Sequence, residues 1–192
     1  MSAPIEVVIE PGWRRRLTVE EYHHLVDAHV LGDDDKFELL EGDLVAMSPQ
    51  EPPHALVIAW LNRVLVRSLD DSFQVRPQLP LTLDRSEPEP DLAVVTVSEL
   101  ERAPRHPETA LLVIEVADTT LRKDRLVKAP VYAEAGVAEY WIVNVAARQL
   151  ERHREPDTGQ RLYRRFDVVQ TGLFSFESLP GLTIDVAELL SA

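Results

Sequence analysis

Two acids at apolar runs, and a lysine on the helix that follows, are the residues of this chain best placed to do chemistry. Asp91 closes Glu89-Pro90-Asp91 and opens onto Leu92-Ala93-Val94-Val95-Thr96-Val97. Glu115 stands inside Leu111-Leu112-Val113-Ile114-Glu115-Val116-Ala117. Short, almost wholly apolar runs are the pattern of central strands covered on both faces. If those strands pair side by side, both carboxylates come within reach of one divalent cation. Magnesium takes oxygen ligands and is commonly held by one or two carboxylates, with water and substrate phosphate completing the shell. Mg2+ or Mn2+ is therefore the expected cofactor, with the Val116 carbonyl as a candidate third ligand. Such an ion stabilises the charge that develops in phosphodiester hydrolysis and lowers the pKa of the attacking water. Lys128 would orient that water or stabilise the pentavalent transition state.

Each of these residues also has a plain structural reading. Acids end strands as turn residues, Lys128 can pair with Asp124 at i,i+4, and Tyr132 can simply pack. Glu115 is the hardest to explain that way. It shares a strand face with Val113 and Ala117, where an unpaired carboxylate is costly to bury. A buried acid in a core strand is a functional candidate more often than a surface acid is.

The elements that must position these residues are legible in outline. Residues 120–135 have helical character, with Gly136 as the stop and Asp124, Lys128 and Tyr132 on one face. Pro130 lies inside that helix, where it costs roughly 3 kcal/mol. It predicts a kink, or a helix that effectively begins near Lys128. Upstream, Thr18 and Glu21 form a capping box for a helix that Gly32 should end. Lys36 to Met47 reads as a hairpin turning at Glu41-Gly42-Asp43. A helix from about His54 to Leu69 carries Leu56, Ala59, Trp60, Arg63, Val64 and Arg67 at helical spacing, with Val57, Leu61 and Leu65 widening the apolar face. His54, in its first turn, is either a polar end residue or a group aimed at a nearby site. Phe73 to Leu83 suits an edge or bent strand because of Pro77 and Pro80.

Downstream, Glu139 to Val145 is a strand, and 149–155 with 161–169 form a hairpin around Asp157-Thr158-Gly159. A short strand and a turn of helix close the chain. Residues 1–16 read as an N-terminal arm with Arg14-Arg15-Arg16, and 17–192 as one domain.

Composition limits the partners. The chain has 192 residues, 45% hydrophobic and 28% charged, in the globular range, and no cysteine, so disulfides and thiolate-bound zinc are excluded. No run approaches membrane-spanning length, and a cytoplasmic location is expected. The formal net charge of −13 repels polyanions overall. A nucleic-acid partner therefore needs a local basic surface.

A set of ordered pieces carries a family resemblance. They are Leu17-Thr18-Val19-Glu20-Glu21-Tyr22, Phe37 to Val45, Ser48-Pro49 with His54, and Glu89-Pro90-Asp91-Leu92. Val113-Ile114-Glu115-Val116, Asp124 with Lys128 and Tyr132, Gly136-Val137, Glu139 to Val143, and Leu179-Pro180-Gly181-Leu182 complete them. In order and spacing the chain resembles the Uma family of restriction-endonuclease-like proteins, in the PD-(D/E)XK nuclease superfamily. The resemblance covers about Leu17 to Leu190. It implies an α/β (α+β) class fold with a restriction-endonuclease-like core: a mixed central sheet flanked by helices, here with an added N-terminal hairpin and a C-terminal β-hairpin.

The resemblance further implies Asp91 and Glu115 as metal ligands. Glu38 would complete the site from the first hairpin, with His54, Asp124 and Tyr132 supporting it. The superfamily's lysine normally stands two residues after the second acid, where this chain has Ala117; in this family it resembles a lysine relocated to the next helix, matching Lys128. Asn144 stands where the family commonly has Asp, outside the metal site.

The activity implied is a magnesium-dependent DNA endonuclease. A non-catalytic nucleic-acid-binding or regulatory protein of the same fold, and a hydrolase of smaller phosphoesters, are the alternatives. Arg148, Arg152, Arg154, Arg161, Arg164 and Arg165 offer a candidate DNA-binding surface. They equally suit the charged protection of an exposed strand edge. Cleaving both strands takes two active sites, so a homodimer is expected by analogy.

Overall fold

The computed structural model describes residues 15–32, 35–47, 51–179 and 181–191. Most of the expected N-terminal arm, Arg14 included, and Ser48-Pro49 lie outside them.

Six strands form the central sheet: β3 (Phe73–Pro77), β4 (Leu92–Thr96), β5 (Leu112–Ala117), β6 (Glu139–Asn144), β7 (Gln149–Asp157) and β8 (Leu162–Val169). They lie in that spatial order, and only β5 and β6 are parallel. A parallel pair needs a crossover, and here the crossover is the helical segment that carries Lys128. The 149–169 hairpin thus extends the main sheet. A separate C-terminal pair, β9 (Leu173–Ser175) with β10 (Thr183–Asp185), and the N-terminal hairpin, β1 (Phe37–Leu40) with β2 (Asp43–Ala46), are two-stranded sheets of their own. Among the described residues, four further helices lie outside the crossover's three segments. They are α1 (Val19–Asp27), α2 (Pro52–Ser68), α3 (Val97–Arg102) and, after β10, a short α6 (Val186–Leu189). Among the described residues no helix is long and apolar enough to cross a membrane.

The sheet separates two cores. Leu92, Val94, Leu112, Ile114 and Val116 face α2 and the C-terminal segment, with Trp141 stacked on Phe176 at 4.3 Å. Ala93, Val95, Val113, Ala117 and Ile142 face the crossover helix, with Tyr132 and Tyr140. Alternation along β5 puts Glu115 on this second face.

The face of α2 is not the one the spacing suggested. Val57, Ile58, Leu61 and Leu65 are buried, whereas Leu56 is 59% exposed. The stripe through Leu56, Ala59 and Trp60 also carries Arg63 and Arg67, and burying two guanidinium groups costs more than exposing one leucine. The first helix, α1, ends at Asp27 rather than at Gly32; a turn with His29 at φ 54° follows it. The edge strand β3 stops at Pro77, short of the expected Leu83.

An α-helical stretch begins next to Lys128, its N-cap, as the second of the two expectations has it, but the chain before it is helical as well. The crossover runs as α4 (Leu121–Lys123), a π-helical turn (Asp124–Lys128) and α5 (Ala129–Glu134). The Ala129 N–H donates to the Asp124 carbonyl, five residues back. Widening the turn places Pro130, which has no N–H to donate, in the first turn of the next α-helical stretch, where proline is tolerated. At the far end the Gly136 N–H donates to the Ala133 carbonyl (3.1 Å) and the Val137 N–H to the Tyr132 carbonyl (3.0 Å). That pair of bonds, with Gly136 at φ +71°, is the Schellman closure the glycine predicted.

Candidate active site

Asp91 immediately precedes β4. Leu92 pairs antiparallel with Ile114, so continuing that register sets Asp91 opposite Glu115. The carboxylate of Asp91 is held at both ends of its environment: Oδ2 accepts from the Val116 N–H at 2.7 Å and contacts His54 Nε2 at 3.0 Å. Pro52 and Pro53 start α2, which places His54 in its first turn beside this acid. Burial alone would lower the imidazole pKa, but the Asp91 carboxylate and the Val116 carbonyl outweigh it and raise it.

Glu115 is 5% exposed. Its Oε1 accepts from Lys128 Nζ and from the Tyr132 hydroxyl, each at 2.8 Å. Burial pushes the Glu115 carboxyl up to about 8, against the opposing pull of Lys128. Burial works in the other direction on Lys128, yet Glu115, Glu38 and Asp124 around it raise its pKa and keep it charged. Burial also pushes the hydroxyl of Tyr132 well above its ordinary range.

Glu38 arrives from far away in sequence. An antiparallel bridge between Leu39 and Glu87 lays β1 beside residues 87–89, closed by the Glu87 N–H to the Leu39 carbonyl at 2.7 Å. Glu38 then lies 3.0 Å from Lys128 Nζ through Oε2 and accepts from Lys123 Nζ at 2.7 Å through Oε1. Burial would raise its carboxyl, but the two lysines bring it below its ordinary value. Asp124, in the π-helical turn, accepts the Thr120 hydroxyl at 2.6 Å; burial raises its pKa despite Lys128 nearby.

These groups open onto one cleft of about 290 Å³, lined by Glu38, His54, Asp91, Glu115, Val116, Asp124 and Lys128, among others. All the predicted metal and supporting residues except Tyr132 line it, and Tyr132 sits directly behind Glu115. Seven carboxyl groups line the cleft (Glu38, Glu51, Glu89, Asp91, Glu115, Asp118 and Asp124) against two lysines, Lys123 and Lys128. Glu89, half-buried, has its carboxyl raised by desolvation.

That excess of acid suits a hard cation. Among the described residues, Asp91 Oδ1 and Glu115 Oε2 accept no hydrogen bond from the protein, because the donors crowd onto Oδ2 and Oε1. In a strand a residue's N–H and C=O point to the same side, so the Val116 carbonyl lies on the side from which its N–H reaches Asp91. No three acids or histidines among the described residues stand together as a ready-made metal cluster. Two carboxylates and a carbonyl nevertheless match the sparse protein shell that magnesium accepts.

Sequence reasoning missed Lys123. On a regular α-helix, residues five apart point about 140° away from each other at 100° per residue, so Lys123 and Lys128 belong to different faces. A π-helical turn closes i to i+5, and both lysines reach Glu38. Pro130 is the available signal: it predicts a kink or a helix beginning near Lys128, and neither expectation includes the widened turn.

Residues 19–187 match the model of the Uma2 family, described as "Putative restriction endonuclease". The chain belongs to the Uma2 family. The Uma2 chain also superposes on a solved structure described as "a putative nuclease belonging to DUF820 from Anabaena variabilis ATCC 29413". The TM-score is 0.73 at 14% identity, over 91% of this chain and 98% of that one. At that identity the likeness speaks to the fold alone. No curated protein matches the chain.

The arginines of the 148–165 hairpin do not line the Uma2 cleft. Arg152 and Arg154 are buried, and the set is largely neutralised. Arg152 pairs with Glu139 at 3.0 Å, and Arg154 with Asp167 and Glu177. Arg161 pairs with Glu41 and Glu134, Arg164 with Asp157, and Arg165 with Glu155. Arg148 donates to the Ser191 hydroxyl at 3.5 Å. They are therefore not one open basic face; the positions facing inward from β7 meet acids because a buried guanidinium requires them.

Proposed function

We propose that this Uma2 protein is a metal-dependent DNA endonuclease whose active site is the cleft built on Asp91, Glu115, Glu38 and Lys128. The observation that carries the reading is the meeting of Asp91 and Glu115 at one edge of an accessible cleft, with a lysine on Glu115, in a member of a nuclease-like family. Asp91, Glu115 and the Val116 carbonyl would hold Mg2+ or Mn2+. The ion would supply charge stabilisation at the scissile phosphate and a more acidic water.

The chain's own residues do the rest. His54 and the Val116 N–H fix the Asp91 carboxylate through one oxygen and leave the other available. Lys128 and Tyr132 fix Glu115 in the same way. Lys128 also ties Glu115 to Glu38, so the three move as a unit. Asp124 adds a carboxylate beside Lys128 and helps to keep the ammonium charged. Double-strand cleavage would require two such sites, and a homodimer is the simplest arrangement that supplies them.

Plasmid nicking in Mg2+ or Mn2+ tests the reading. Wild-type protein should relax supercoiled DNA, and Asp91→Ala should not. Absence of cleavage by wild type across both metals and across single- and double-stranded DNA would overturn it. Cleavage that survives Asp91→Ala would move the site elsewhere. The net charge of −13 and the paired hairpin arginines favour a second reading, a nuclease fold kept for binding or regulation; DNA binding without cleavage would support that one.

A further inference from the structure

Two lysines touch Glu38, and they differ in what they have left to give. The Lys128 side chain is 4% exposed and lies between Glu38 and Glu115 at 3.0 and 2.8 Å. Turning it toward a ligand would strip its counter-ion from a fully buried carboxylate. The Lys123 side chain is 21% exposed, lines the cleft, and spends one donor on Glu38 at 2.7 Å. An ammonium has three N–H donors, so Lys123 can hold Glu38 and still meet an anion in the cleft.

Lys123 also belongs to the wall of a second, more open pocket of about 560 Å³. Thr119, Thr120 and Lys123 line both spaces, so the two adjoin along this segment. Arg122 lines the second pocket, is exposed, and enters no ion pair among the described residues. Leu126, 64% exposed, gives the same pocket an apolar wall. Elsewhere the cleft walls are acidic, through Glu51, Glu89 and Asp118.

We infer that Arg122 and Lys123 form a phosphate-binding step at the mouth of the candidate active site, which takes the backbone of a nucleic-acid strand next to the scissile phosphate. The inference rests on the nuclease reading. A strand carries a negative charge for roughly every 3.4 Å of axis, so a strand with one phosphate in the cleft must place its neighbours close outside. Past the acids, this wall is where it meets cations, with Leu126 beside them for the sugar and base. Lys123 is the substrate-contacting cation, and Lys128 is a positioning residue that acts through Glu115 and Glu38.

The test is fluorescence anisotropy of a labelled duplex oligonucleotide with the full chain in metal-free buffer, titrated with NaCl, run beside plasmid nicking in Mg2+. Arg122→Ala and Lys123→Ala should each weaken binding ~fivefold at moderate salt and lower the salt slope by about 0.9. In the nicking assay each should raise KM more than it lowers kcat. Lys123→Arg should restore the slope, which a merely structural lysine would not require, and Arg164→Ala on the hairpin should leave it at the wild-type value. Wild-type cleavage combined with an unchanged slope and KM in both variants overturns this inference and leaves the nuclease reading standing. Wild-type protein that neither binds nor cleaves overturns both. Arg122→Ala, at an exposed side chain, keeps the test valid should Lys123→Ala fail to fold.

Discussion

At the cleft, Lys128 is shared by Glu115 and Glu38, while Asp91 and Asp124 stand close by with no lysine or arginine ion pair of their own among the described residues. At the β7 side of the same sheet, Arg152 is as deeply buried, at 2% exposure; its Nη2 meets Glu139 while its Nε has no partner among the described residues. Glu139 lies 3.0 Å from Arg152, and its remaining capacity is filled by Trp141 Nε1, the Ser178 hydroxyl and the backbone N–H groups of Glu177 and Ser178. The guanidinium stacks 3.9 Å from the Phe174 ring centroid. One region is built on a satisfied acid, Glu139, and ties β9 and the 177–178 turn to the sheet. The other keeps surplus carboxyl, with Glu115, Asp124 and Glu89 all raised by burial. Satisfied buried networks rigidify a fold, whereas groups pushed from their ordinary pKa in a cleft mark a place prepared for a ligand. A divalent cation would supply what the cleft lacks.

The largest effect that would break this contrast is on activity. Asp91→Ala should lower plasmid cleavage by about 10³ or more, with circular dichroism unchanged. Next comes the lysine. Lys128→Met leaves Glu115 buried without its counter-ion and should cost about 3–5 kcal/mol in urea unfolding near pH 8. That loss should shrink on acidification, because Glu115 can take up a proton. Arg152→Met should cost less, about 2 kcal/mol, since the thioether can still pack on Phe174 and Glu139 keeps its neutral donors. Equal losses at the two positions would erase the distinction between a satisfied acid and a surplus of acid.

A smaller effect sharpens the hairpin side. His153 is packed among Tyr140, Tyr163 and Phe166 with Nε2 buried and unpartnered, and burial lowers its pKa to about 4. Its unfolded value, about 6.5, is higher, so the unfolded chain binds the extra proton between the two. Stability from this group is fully present above about pH 6.5 and is lost as pH falls toward 4, by ~3 kcal/mol. In urea titrations across that window, His153→Phe should flatten the pH dependence. The smallest effect is at the surface, where Arg164→Ala should leave the melting temperature unchanged, because exposed ion pairs add little.

The strongly patterned elements were legible before any coordinates. The apolar runs became β4 and β5, the Thr18–Glu21 box is formed with bonds of 3.0 and 3.1 Å, and Gly136 closes its helix. The burial of Glu115 followed from alternation in one strand. Where two patterns competed, as on α2, local spacing could not choose the face, because the choice depends on which side the sheet lies. Pro130 announced an irregularity, but only the packed helix shows that it resolves as a π-helical turn.

What the sequence by itself determined about this protein is therefore its strands and the one acid that had to be buried, which follow from a period of two residues, and its caps, which follow from local side-chain and glycine chemistry. The tertiary structure alone decided which charges meet. Lys123 and Glu38 are 85 residues apart, Asp91 and the Val116 N–H 25, and Arg161 and Glu41 120. No periodic signal spans such distances; the strand order and one widened helical turn bring them together. Pairing within the hairpin and across the fold occupies most of the arginines that looked available for DNA, and leaves Lys123 and Arg122 beside the cleft.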